Sequence, residues 1–163
     1  MNAQAPQRPV ARSAPQLLAD ARVVLNNPGA VPTASWSRAV ALLGRQAIER
    51  GLTDLWSSVE PGLGSVRQKR AQFICLRWYL DPALAGQTHY AWAALSGACH
   101  HHVYDLCPTE AELRSWLATT ERFLRAVGES MNDTSSRGHG ADRIPPLRPR
   151  PVSSATVRAP TPP

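Results

Sequence analysis

Two runs of apolar residues at helical spacing meet at one break, Cys107-Pro108-Thr109, and this arrangement limits the fold more than any other feature of the chain. Ahead of the break, Leu84, Ala91, Trp92, Leu95, Ala98, Cys99, His102, Val103 and Leu106 recur every three or four positions. Behind it, Leu113, Trp116, Leu117, Thr120, Leu124 and Val127 do the same. Pro108 stops the first run. Thr109 and Glu112 then form a capping box, in which the threonine oxygen accepts from the third amide of the new helix and the glutamate returns to the cap amide. The spacing predicts a helix over 83–106 and another from Thr109 that fades by Gly128.

The same period predicts three more helices. The first spans 15–26, with Ser13 as cap, Pro15 in the opening turn and Leu17, Leu18, Ala21, Val24 and Leu25 on one stripe. The second spans 36–59, capped by Ser35, with Trp36, Val40, Leu43, Ala47, Leu52, Leu55 and Trp56 apolar, and stops at Pro61 and Gly62. A third starts near Ser65, carries Phe73, Ile74, Leu76 and Leu80, and ends at Asp81 and Pro82. No stretch alternates with the period of two that a strand requires. The expected fold is therefore all-α, an antiparallel bundle of about five helices over 15–128. In the fourth helix, Ala93, Ala94, Ser96, Gly97 and Ala98 predict close approach of a neighbouring backbone. A basic arm (1–14) and a Pro/Arg-rich tail (129–163), which includes IPPLRPRP and APTPP, have too little apolar surface to offset the entropy of ordering and are expected to be disordered.

The 163 residues, 43% of them apolar and five of them tryptophan, suffice for one core. The net charge of +6 is confined to the ends. Three arginines face one aspartate up to Ala34, five face one from Arg137 onward, and the ten basic and ten acidic residues between cancel. An anionic partner is thus expected at the tail, where Arg137, Arg143, Arg148, Arg150 and Arg158 would hold RNA or DNA phosphates without sequence choice; PPLRPRP also suits an aromatic groove as a polyproline helix. Three cysteines without paired spacing, and no apolar run before a cleavage-like site, fit a reducing cytoplasm. No run reaches the ~18 to 20 apolar residues of a membrane span, so no membrane partner is expected.

The second helix, RAVALLGRQAIERGLTDLW, resembles the opening helix of HEPN-type domains, an Ala-rich amphipathic helix with Gln and Glu near its middle. The stretch LSGACHHHVYDLCPTEAELRSWL is similar to the end of such domains, where a histidine, a short loop and a Pro-Thr cap lead into an acidic final helix. The resemblance covers residues 36–127. It implies a small helical bundle that dimerises through the motif-bearing helices, of the kind found in bacterial regulatory, toxin–antitoxin and phage-defence systems. Many members are metal-independent ribonucleases with an arginine that is followed by four to six further residues and then a histidine. Here Ala93, Ala94, Leu95 and Ser96 occupy those positions, and the nearest upstream arginine is Arg77, on another helix. A site reassembled from Arg45 or Arg77 is the remaining route to that activity.

Within the histidine run, His100, His101 and His102 point about 100° apart on a helix. His102 shares the buried stripe with Cys99 and Val103 and reads as a core residue. A metal would need a third ligand such as Cys107 or His89 beside Cys99 and His102, and neither metal nor cofactor is expected. His101 and Asp105, four apart, suit general acid–base work or a plain solvated pair. Cys75 and Cys99 read as apolar fillers. The leading expectation is a non-catalytic or divergent HEPN-like interaction module, a homodimer or a binder of another protein, with Trp78, Trp92, Leu95 and Gly97 at its interface. The alternatives are a ribonuclease using His100, His101, His102 and Asp105, and a DNA-associated regulator.

Overall fold

The computed structural model describes residues 12–30, 36–99 and 107–137, and among these every element is helical. Helix α1 (Ala14–Asn26) opens on a capping box: the Ser13 amide donates to Gln16 Oε1 at 2.9 Å and the Gln16 amide to Ser13 Oγ at 3.4 Å. A 3-10 turn (Pro28–Ala30) follows. Helix α2 (Trp36–Val59) has the bounds its sequence predicts, while its expected cap, Ser35, lies outside the described residues.

Pro61 and Gly62 do end α2, but the proline also opens a one-turn helix, α3 (Pro61–Gly64), because its fixed φ and missing donor suit a first position. The predicted third helix therefore starts later, as α4 (Lys69–Leu76). Gln72 is the reason the connection is ordered. It is buried, and its Nε2 donates to the carbonyls of Leu63 and Val66 at 3.0 and 2.9 Å, tying the α3–α4 link to the helix. Helical turns persist past α4, with the Trp78 amide on the Cys75 carbonyl and that of Leu80 on Leu76.

Helix α5 (Pro82–Cys99) starts where expected, and 100–106 lie outside the described residues. Helix α6 (Glu110–Arg137) begins at the predicted capping box, with the Glu112 amide on Thr109 Oγ1 at 3.2 Å and the Thr109 amide on Glu112 Oε2 at 2.8 Å. It does not fade at Gly128. Val127 is buried and Met131, one turn on, still packs on the core, so the apolar stripe carries the helix through the glycine. Of the expected tail, 129–137 is thus helix; 1–11 and 138–163 lie outside the described residues.

Side-chain pairings give the topology. Arg38 reaches Cys99 and Glu49 reaches Trp92, so α2 and α5 run antiparallel. Gly44 abuts Leu117 and Gly51 abuts Leu124, so α2 and α6 run parallel. The four long helices form an up-down-up-down bundle in which α2 touches all three others. Its inner row, Val40, Ile48, Leu52, Leu55 and Trp56, is fully buried. A bidentate Arg22–Glu121 pair, at 2.8 and 3.2 Å, links α1 to α6 at the surface. The close approach predicted for α5 occurs instead on α2. A Cβ on Gly97 would meet nothing within 4 Å, whereas one on Gly44 would stand 2.8 Å from Leu117 Cδ2 and one on Gly51 2.5 Å from Leu124 Cδ2.

Candidate functional site

Along α2, Arg38, Arg45 and Glu49 are spaced seven and four apart, which puts them on one flank of the helix. Trp92 and Cys99, seven apart on α5, form the facing row. Antiparallel packing zips the two rows into a polar seam. Glu49 Oε1 accepts from Arg45 Nε at 2.9 Å and from the Trp92 indole at 3.0 Å. Arg38 Nε donates at 2.8 Å to the carbonyl of Cys99, the peptide that joins it to His100.

Electrostatics in the seam are close to balanced. The hydrogen bond to Glu49 raises the pKa of Arg45 and keeps it charged. Burial pushes the Cys99 thiol up, Arg45 and Arg38 pull it back, and burial prevails. Cys99 is therefore a buried, protonated thiol rather than a nucleophile. Arg38 is exposed and, among the described residues, faces no carboxylate. It is the one cation of the seam free to meet an incoming anion.

The predicted interface residues separate. Trp78 is 68% exposed, in the turn after α4. Leu95 is fully buried, its methyls 3.3 and 3.5 Å from where a Cβ on Gly44 would lie; its surface is used inside the subunit, which removes it from an outer interface. Trp92 is half-buried and held by Glu49, its ring stacked with that of His89 at 6.2 Å between centroids and tilted against that of Phe73 at 5.3 Å. Gly97 is exposed. With it, Ala83, Gly86, Tyr90 and Ala93 make up the outward face of α5, and Tyr90 is 68% exposed. An open groove beside this face, between α5 and α6, is lined by Gly86, Tyr90, Trp116, Thr119 and Arg122.

His100, His101, His102 and Asp105 lie outside the described residues, as do Arg143, Arg148, Arg150 and Arg158 and the side chain of Arg137. Among the described residues no three His, Cys, Asp or Glu side chains gather as metal ligands would, and no helix is long and apolar enough to cross a membrane.

Of the residues gathered here, the sequence singles out Arg45, Trp92 and Cys99, and Glu49 only as the mid-helix glutamate of the resemblance, but not Arg38 or Tyr90. The seven-residue repeat of Arg38 and Arg45, matched by that of Trp92 and Cys99, is the available signal. Arg45 with Glu49 looks like an ordinary solvated pair, and Tyr90 lies off the apolar stripe. These observations define the class as an all-α, up-down-up-down bundle with a polar seam between α2 and α5. The chain matches no protein-family model, no curated protein and no solved structure.

Proposed function

We propose that this chain is a non-catalytic, HEPN-like helical interaction module that works as a homodimer joined through the outward face of α5. One observation carries the reading: α5 has no Asp, Glu, Lys or Arg anywhere along its 18 residues, yet it exposes Gly86, Tyr90, Ala93 and Gly97. The other long helices turn charge outward, Arg38 and Arg50 on α2 and Arg114, Arg122 and Arg125 on α6. An uncharged surface of small residues around one tyrosine lets two helices approach closely without repulsion, and a two-fold contact sets the same patch against itself. The resemblance to dimerising bacterial toxin–antitoxin and phage-defence domains agrees with this geometry.

Sedimentation equilibrium of the full chain tests it. The expected result is a dimer that Tyr90→Glu and Gly97→Glu convert to a monomer with unchanged far-UV circular dichroism. A monomer at every concentration, or a dimer untouched by both substitutions, refutes the reading.

A second reading, the metal-independent ribonuclease, is favoured by Arg38, whose bond to the Cys99 carbonyl brings an arginine from another helix to the start of the histidine run. Cleavage of RNA in the presence of chelator, abolished by both Arg38→Ala and the His100, His101, His102 triple alanine variant, would establish it. Well-folded protein that leaves RNA intact would rule it out.

A further inference from the structure

The segment that crosses from α3 to α5 carries a second surface unrelated to the α5 face. Arg67, Lys69, Arg70 and Arg77 stand on it with Asp81 as the one acid, whose Oδ1 is already engaged by the Leu84 amide at 2.9 Å. Lys69 is turned inward to Gln72 Oε1. Arg67, Arg70 and Arg77 are exposed, and among the described residues none of them meets a carboxylate. Phe73 and Leu76 are buried, fixing α4 against the bundle, with Phe73 stacked on His89 at 4.9 Å. The opposite face is thereby set toward solvent. Along it run Arg70, Ile74, Arg77 and Trp78 at spacings of four, three and one, with Ile74 60% and Trp78 68% exposed. Tyr79 beside them packs edge-on against Trp56 at 5.1 Å, which steadies the turn that presents Trp78.

We infer that this face binds single-stranded nucleic acid, with a base stacked on Trp78 and phosphates held by Arg70 and Arg77. A base can lie on an indole only where it is not already stacked in a duplex, and stacking of this kind accepts any base. Arg70 and Arg77 are seven residues apart, about 10 Å at the rise of a helix, a spacing that suits a linear polyanion better than a compact anion. Their guanidinium forks match phosphate oxygens. Three like charges also oppose pairing of this face with its own copy. A bilayer would gain little here, because Ile74 is the one exposed aliphatic side chain on the stripe.

The test is fluorescence anisotropy of a labelled oligouridylate titrated with the full chain. A parallel titration uses the full chain carrying Arg143→Gln, Arg148→Gln, Arg150→Gln and Arg158→Gln, which removes tail charge. Binding is expected to survive in the tail variant. Trp78→Ala should weaken it about tenfold, as loss of one stacked base does, and Trp78→Phe should restore most of it. The Arg70→Gln, Arg77→Gln double variant should lower the slope of log affinity on log salt by about 1.4, roughly 0.7 for each phosphate. The inference fails if Trp78→Ala binds like the parent, if only the tail variant loses binding, or if the chain ignores the oligonucleotide and instead co-sediments with phosphatidylserine vesicles through Trp78.

Discussion

Gly44 and Gly51 decide how near α6 can come to α2. A methyl on Gly51 would lie 2.5 Å from Leu124 Cδ2 and 2.9 Å from Cε1 of fully buried Phe123, so something must move. Overpacking of this kind costs about 1–3 kcal/mol, which outweighs the ~1 kcal/mol that alanine gains in helix propensity. Gly51→Ala should therefore destabilise by about 1 kcal/mol, and Gly128→Ala, where no atom lies within 4 Å, should stabilise by up to about 1 kcal/mol. Urea midpoints of the two variants check this; midpoints shifted in the same direction would contradict the packing argument. Gln72→Ala strips two carbonyls of their donor and should cost about 2 kcal/mol. The thiols form a third case. Burial pushes Cys99 up while Cys107 is exposed, so alkylation of native protein should label Cys107 first. Because the raised thiol stays protonated while an unfolded one ionises, the stability Cys99 contributes is complete below the ordinary thiol range and declines as pH rises toward its folded value. Equal labelling rates for the two would refute this placement.

At the scale of the elements, α6 depends on its first turn and on its link to α1. The Thr109 amide, then its hydroxyl, hold the Glu112 carboxyl below its ordinary range, and the Arg22 guanidinium does the same for Glu121. A lowered carboxyl pKa stabilises the fold above the ordinary carboxylate value and ceases to do so as pH falls through the lowered value. Arg22→Ala should thus lose stability at neutral pH and come close to the parent in acid, read from denaturant midpoints at the two pH values; an equal gap at both would contradict the pairing. Thr109→Ala should cost about 1 kcal/mol, the usual loss of an N-cap. The Thr109 box is legible in the sequence because it is a local signal carried by two residues three apart. The extension of α6 through Gly128 is not, because Met131 holds it by reaching a core built from other parts of the chain. The split between α3 and α4 is hidden for the same reason: Gln72 organises it, and a buried glutamine looks like a surface residue in sequence.

For the whole molecule, helical period and breaks are enough to give an all-α bundle, the bounds of α2 and most of the core, from Leu17 through Val127. They are not enough for the surfaces. Leu95 follows the apolar stripe and belongs to the core; Tyr90 leaves the stripe and lies on the outside, so the interface must be read from exposure rather than from hydrophobicity. The seam of Arg38, Arg45, Glu49 and Trp92 joins residues up to fifty-four apart in sequence, and only the antiparallel packing of α2 on α5 makes them neighbours. Most depends on the uncharged α5 face being a contact between two copies. Sedimentation equilibrium of the full chain and its Tyr90→Glu variant is the most direct measurement. A dimer that becomes a folded monomer on substitution is the predicted result; a parent chain that stays monomeric as its concentration rises would contradict it.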